Sequence, residues 1–167
     1  KRAEDPVLNL GFFTNKQTAL TLFLSFIVGC GLMGTVFLPQ FSENVLKLKR
    51  GSGGYIVTLF AVFTGIAAPV GGKFIDKYGV KKLLLLGFSS SIIGVLYQAF
   101  ITANHPNFTN LTIGLVFMGI GMGFTMGTPI NYLMMSLVKP EEISMGQSTV
   151  SLLRSIGVAV SPNLLIN

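Results

Sequence analysis

The stretch "GGKFIDKYGVKK", Gly71 to Lys82, decides how the chain is read. Its twelve residues hold five charges, Lys73, Asp76, Lys77, Lys81 and Lys82, whereas the twenty residues before it, 51–70, hold none. Each residue type has a mechanical reason to stand at a turn between two helices. Gly79 supplies a backbone conformation that a tight turn needs and most residues resist. Gly72 lets the end of the preceding helix sit against a neighbour. Asp76 is placed to accept hydrogen bonds from the next helix start, where the dipole favours negative charge. The lysines hold the turn at a polar face and can pair with Asp76 or with lipid phosphate. Two readings stay open: a latch that breaks and reforms, and an ordinary positively charged loop that fixes orientation.

Outward from this stretch the chain is apolar. Half of its 167 residues are hydrophobic and 11% are charged, against about 25% charged in an average soluble domain. Five apolar segments stand out, at about 18–39, 53–72, 83–103, 110–138 and 147–167, after an opening 1–17 that reads as a polar linker and helix start. A membrane span needs about 20 mostly apolar residues. Inside lipid every backbone amide must be paired within its own segment, so such runs are expected as helices. The fold class is therefore an all-α membrane protein. Lys1, Arg2, Lys16, Lys73, Lys77, Lys81, Lys82 and Lys139 fall on one side of the alternating segments, and Lys47, Lys49 and Arg50 on the other. That bias puts the amino end in the cytoplasm. The opening lacks a signal peptide and the last residues stop inside an apolar run, so the sequence is expected to be an internal part of a longer protein.

Several function classes fall away. The net charge of +6 is spread over the linkers, with no basic face bearing interleaved aromatics, so nucleic acid is not an expected partner. One cysteine, Cys30, can build neither a disulfide framework nor a metal cluster. No grouping of catalytic residues, metal-ligand spacing or phosphate-cradling loop is present, which argues against an enzyme and implies no cofactor.

The fourth segment contains "FMGIGMGFTMGTPIN". Gly119, Gly123 and Gly127 recur every four residues and share one face of a helix. Small residues at that spacing let helices approach closely in lipid. Met118, Met122 and Met126 form the adjacent stripe, either as gap fillers or as an adaptable wall for apolar ligands. Gln40, Gln98 and Asn131 are candidate cavity residues or helix-to-helix hydrogen-bond partners. Arg154 is the ionisable residue well inside a span. Counted from a helix start near 147 it is two turns deep, where it either snorkels back to the interface or faces a wet cavity and binds a substrate or a carboxylate. All six acidic residues, Glu4, Asp5, Glu43, Asp76, Glu141 and Glu142, lie in linkers or at helix ends, so any proton-coupling carboxylate is expected elsewhere.

The pattern Gly72-x-x-x-Asp76-Lys77-x-Gly79-x-Lys81-Lys82 resembles the signature loop of the major facilitator superfamily, with Val80 where some members carry a further basic residue. "EDPVLNLGFFTNKQTAL", "VFLPQF", "GIGMGFTMGTPIN", "KPEEISMGQS" and "LLRSIGVAV" are similar, in order and spacing, to the second half of fourteen-helix drug:proton antiporters. The resemblance implies an alternating-access helical bundle, of which this chain supplies five transmembrane helices of one six-helix half. It further implies export of amphipathic drugs or toxic compounds in exchange for protons, across a plasma membrane, with the proton gradient as energy source and the missing amino-terminal half of the same chain as partner. Gly72, Asp76, Lys77, Gly79, Lys81 and Lys82 would then gate the conformational change, while Gln40, Met122, Met126, Asn131 and Arg154 would be candidate cavity or substrate residues. Transport of another solute, such as a metabolite, lipid or peptide, and a non-transporting sensor of the same fold are the alternatives.

Overall fold

A computed structural model describes residues 11–46, 53–126 and 128–166, and all regular structure among them is helical. In chain order the helices are α1 (Gly11–Thr14), α2 (Lys16–Val36), α3 (Leu38–Leu46), α4 (Gly53–Tyr78), α5 (Val80–Tyr97), α6 (Phe108–Thr125), α7 (Thr128–Leu137) and α8 (Ile143–Ile166). A π-helical turn, Gln98–Thr102, extends α5, and a 3₁₀ turn, Pro140–Glu142, leads into α8. Among the described residues, four helical stretches are long and apolar enough to cross a membrane: Lys16–Asn44, Gly53–Tyr78, Val80–Thr102 and Phe108–Leu137. The fifth apolar segment forms α8.

Helix bounds differ from those the apolar runs suggest. α4 continues six residues past Gly72 to Tyr78, and α5 begins at Val80 rather than 83. Charge marks where lipid ends, while Lys, Phe, Ile and Asp all continue a helix at little cost beside Gly or Pro. The fourth segment is broken. α6 closes with the Met126 amide donating to the Met122 carbonyl at 2.7 Å, and Met126 itself is extended, with φ −80° and ψ 124°. Pro129 explains the interruption, since its ring clashes with the carbonyl four residues back and it brings no amide to the ladder.

The exterior is apolar. Leu20, Ile66, Leu85 and Phe100 are all more than half exposed. In water so much unpartnered hydrocarbon would drive association, whereas against lipid tails it is solvated. Three buried hydroxyls are satisfied inside their own helices: Thr21 Oγ1 donates to the Gln17 carbonyl at 2.9 Å, Thr125 Oγ1 to Gly121 at 3.0 Å and Thr149 Oγ1 to Met145 at 2.8 Å, whereas Thr102 Oγ1 is buried with no partner among the described residues.

By internal contacts the chain divides into two compact units, Gly34–Pro129 and the combination of residues up to Met33 with those from Ile130 onward. In the first, α6 lies between α4 and α5, and glycine makes both contacts. Gly119 and Gly123 face α4: a Cβ at Gly119 would lie 2.9 Å from the Phe63 Cβ, and one at Gly123 2.5 Å from the Ala67 Cβ. Gly114 and Gly121, seven residues apart, share the face toward α5. There Gly121 meets Ser91 and the Gly87 carbonyl, and Gly114 meets the Gln98 amide. α5 reciprocates with Gly87 against Thr125 and Gly94 against Met118. The pairing order makes α6 parallel to α4 and antiparallel to α5. Ser90 Oγ adds a 2.8 Å bond to the Phe117 carbonyl.

In the second unit α2 and α8 run parallel along a seam of small residues. Gly29 rests on the Arg154 carbonyl, and Gly157 on the Phe26 carbonyl. Ser25 Oγ donates to the Val150 carbonyl at 2.7 Å, Cys30 Sγ to Gly157 at 3.5 Å, and Ser161 Oγ returns a bond to Cys30 at 3.3 Å.

Glycines that look alike in sequence therefore differ in consequence. A Cβ at Gly94 would stand 2.6 Å from Met118 Cγ and 2.9 Å from the Gly114 carbonyl, whereas one at Gly65 meets nothing within 4 Å. Gly94→Ala is expected to destabilise the protein by about 2 kcal/mol through overpacking. Gly65→Ala should leave stability unchanged or raise it by up to about 1 kcal/mol. Unfolding midpoints of the purified full-length variants in detergent check both.

Candidate functional site

The charged turn is nearly all helix. Gly72, Lys73, Asp76 and Lys77 occupy the last two turns of α4, Lys81 and Lys82 the first turn of α5, and Gly79 alone joins them. The Gly79 amide closes α4 on the Ile75 carbonyl at 2.9 Å, and the Gly79 carbonyl accepts from Leu83 at 3.4 Å. Its φ of 82° and ψ of 159° fall in a region open essentially to glycine alone. A single residue thus reverses the chain between two membrane helices.

Two roles expected from spacing are corrected here. Among the described residues Gly72 mediates no close approach, because a Cβ there would meet nothing within 4 Å. Gly71 does, with Phe124 and Leu83 at 3.3 and 3.5 Å from the hypothetical Cβ. Asp76 does not cap α5 either: the cap position is Gly79, and no side-chain cap bond is made there among the described residues. It lies instead near the carboxyl end of α4, where the helix dipole opposes an anion. The side chain is exposed and forms no ion pair among the described residues. Lys77, one residue on, suits the same helix end, and its Nζ sits 5.2 Å from the centre of the Tyr78 ring. Phe74 stacks between Tyr78 and Phe124, with centroids 4.6 and 6.4 Å away, and ties the end of α4 to α6. The result is a rigid corner that presents one unpaired carboxylate and a set of cations, Lys73, Lys77, Lys81 and Lys82, to a polar face.

The candidate cavity residues are dispersed between the two units. Gln40 is exposed on α3, Met122 is buried in α6, and Met126 is part-exposed at the break after α6; all three belong to Gly34–Pro129. Asn131 and Arg154 belong to the other unit. The Asn131 Oδ1 is buried without a partner among the described residues, and so are Nε and Nη2 of Arg154, a residue that is itself only partly buried. α8 begins at Ile143, so Arg154 lies eleven residues along it, roughly 16 Å of helix rise rather than two turns. Gln98 is buried at the π turn, where its Nε2 donates to the Leu111 carbonyl at 3.1 Å. Met118 packs against Gly94 and fills a gap between helices. Gly127 lies outside the described residues. A cleft of about 280 Å³, lined in part by Phe12, Thr18, Lys139 and Glu142, is below the range of about 300–1,000 Å³ usual for drug-sized ligands.

Sequence reasoning missed Gly71, the second glycine face of α6 and the α2–α8 seam. The seam carried a readable signal, Ser25-x-x-x-Gly29 and Gly157-x-x-x-Ser161, the small-residue spacing of helix contacts in lipid.

The comparisons with known proteins agree with this architecture. The family model described as Major Facilitator Superfamily matches residues 2–162. The chain belongs to the Major Facilitator Superfamily. With its four membrane-length apolar helices it is a multi-pass membrane protein of a transporter family. Among curated proteins it is 32% identical to the "Uncharacterized MFS-type transporter YfiU" of Bacillus subtilis (strain 168), over 98% of this chain and 31% of that protein. It is 27% identical to "Multidrug resistance protein 3" of the same organism, over 96% and 31%. It is 26% identical to "Riboflavin transporter RibZ" of Clostridioides difficile (strain 630), over 94% and 34%. The chain thus spans about a third of the length of the curated relatives it matches. No solved structure matches.

The corner geometry makes a specific expectation. Gly79→Ala places a Cβ where the backbone conformation excludes it and should cost about 1–3 kcal/mol. Gly72→Ala, in open space, should be neutral within about 0.5 kcal/mol. Thermal unfolding of the two full-length variants in detergent separates the outcomes.

Proposed function

We propose that the protein is a secondary transporter that exports amphipathic compounds, often cationic ones, in exchange for protons, and that residues 1–167 form most of one of its two helical halves. The observation that supports this reading best is the match over 93–98% of the chain to proteins about three times as long that are named for multidrug resistance or multidrug transport. A chain of this length holds a part of such a bundle, and alternating access needs two halves around one site. We place the protein in the plasma membrane with the amino end of this stretch in the cytoplasm, which puts the Gly71–Lys82 corner on the cytoplasmic face, in keeping with its lysines.

In this mechanism Asp76 and the surrounding lysines act as a latch. A carboxylate at the end of a rigid helix pair, unpaired among the described residues, can form and release an ion pair as the bundle rocks. Gly71 and Gly79 set its position, Gly71 through the α4–α6 contact and Gly79 through the reversal. The protons are carried by carboxylates outside residues 1–167, because the six acidic residues of this stretch lie before or between its apolar segments or, as Glu43 and Asp76 do, within the last turn of a span. The similarity to a protein named as a riboflavin transporter supports a second reading, transport of a different and neutral solute by the same latch.

Uptake of a cationic amphipathic dye by inverted vesicles carrying the full-length protein tests this. Uptake should require an imposed proton gradient, and Asp76→Asn should slow it by about tenfold, equivalent to about 1.4 kcal/mol in the limiting step. Gradient-independent or absent dye uptake contradicts proton-coupled drug export, and absent uptake of the dye with active uptake of riboflavin supports the second reading. Full activity in Asp76→Asn would remove the latch.

A further inference from the structure

We infer that the carboxyl end of α5 is a hinge with two closures: the π turn Gln98–Thr102, and an α-helical turn over the same residues in which the Thr102 hydroxyl bonds the Gln98 carbonyl. The residues involved all lie within the unit Gly34–Pro129. The inference rests on the proposed function only for what the hinge would serve.

Within that unit the buried side-chain polar atoms without a partner among the described residues are Gln98 Oε1 and Thr102 Oγ1, and both belong to this one turn. Gln98 is 7% exposed and Thr102 fully buried. Neighbouring atoms of the chain cover the two oxygens, so neither solvent nor a ligand reaches them, and relief has to come from the turn itself. The cause is visible in the backbone. Thr21, Thr58, Thr64, Thr112, Thr125 and Thr149 each donate to the carbonyl four residues back, at 2.8–3.0 Å, the usual outlet for a threonine inside an α-helix. For Thr102 that carbonyl belongs to Gln98. It accepts instead from the Ala103 amide, five residues on, at 3.1 Å. The π spacing thus takes the carbonyl away from the hydroxyl. A buried hydrogen bond left unmade is costly, and closing the turn by one residue would make it.

The surroundings permit the change. Gly87 and Gly94, through which α5 packs on α6, lie before the turn. The Gln98 side chain is held by α6 rather than by the turn, with Nε2 donating to the Leu111 carbonyl at 3.1 Å and its amide lying against Gly114. These contacts keep the body of α5 in place in both closures. Beyond the turn, residues 103–107 are all exposed, so no packing resists their movement. They are held by single bonds, the His105 amide to the Ile101 carbonyl at 2.8 Å and Asn110 Nδ2 to the His105 carbonyl at 3.0 Å. Passing from the π to the α turn advances the following chain by one helical position, about 100° around the axis and 1.5 Å along it. In a transporter that rocks between two openings, this lets one end of the α5–α6 pair change shape while its glycine-packed body stays rigid.

Valine in place of Thr102 keeps the shape of the side chain and removes the hydroxyl. The π closure loses an unpaired group and the α closure loses its new bond, so the variant favours π on both counts. Thr125→Val is the control, because that hydroxyl is buried and already bonded. In the full-length protein in detergent, without solute, Thr102→Val should raise the unfolding midpoint by about 2 °C, and Thr125→Val should lower it by a similar amount. With methyl-labelled alanine, NMR of the wild type should show the Ala103 methyl exchanging between two positions on the microsecond-to-millisecond timescale. That exchange should vanish in Thr102→Val and persist in Thr102→Ser, which retains a hydroxyl. A midpoint for Thr102→Val that is unchanged or lower overturns the inference, since the hydroxyl would then not be unpaired in the resting turn. So does a wild-type Ala103 methyl without exchange, or exchange that survives in Thr102→Val. None of these readouts requires transport, so they hold or fail separately from the proposed function.

Discussion

Close approach of helix backbones through glycine is the constraint on which the rest of this structure depends. Lipid tails are as apolar as leucine, so burying hydrocarbon between helices gains little in a bilayer. What remains is dispersion contact, and it rises only when backbones come near enough for many atoms to touch. α6 meets that demand on two faces, toward α4 through Gly119 and Gly123 and toward α5 through Gly114 and Gly121. Gly87 and Gly94 answer from α5. The α2–α8 seam uses the same device with Gly29 and Gly157 and adds hydroxyl and thiol bonds to carbonyls of the opposite helix.

The polar corner depends on that packing. Gly71 lets α4 lie against Phe124 of α6, Phe74 stacks on the same ring, and Gly79 turns the chain in one residue. Asp76 is held at the end of a helix that is itself clamped along its length, so a change in what it pairs with can be felt by α4 and α6 together. Flexible lysines around a floppy loop could fix orientation equally well but could not transmit such a change. The fold thus supplies the stiffness that the proposed latch requires.

Much of this was legible in the residues. The apolar segments give the helices, because in lipid no other backbone arrangement is self-sufficient. The four-residue recurrence of Gly119 and Gly123 marks a helix face, and the face is the one toward α4. Helix ends were less legible. Composition changes at Gly72 because the membrane ends there, but helical hydrogen bonding has no reason to stop until Gly79. The break after Met126 was hidden because Pro129 stands inside one long apolar run, 110–138, whose composition does not change there. Arg154 was misjudged in depth for a related reason: the polar phrase "ISMGQS" looks like a linker and is the first turn and a half of α8. Which of two adjacent glycines makes a contact, Gly71 or Gly72, depends on rotation about the helix axis, which spacing alone does not set.

The central claim, that α4 and α6 are locked by the absence of side chains at their crossing, is tested most directly by a double-mutant cycle at Gly123 and Ala67. The two positions are chosen because a Cβ on Gly123 would lie 2.5 Å from the Ala67 Cβ. Unfolding free energies of the full-length protein would be measured for Gly123→Ala, Ala67→Gly and the pair. If the crossing is as described, removing the Ala67 methyl relieves one of the two overlaps, the Thr64 carbonyl 2.7 Å from the new Cβ being the other, and the pair is less destabilised than the sum of the single variants by about 1 kcal/mol. Additive losses would mean that the two residues do not share one contact, and the packing that supports the rest of the structure would have to be abandoned.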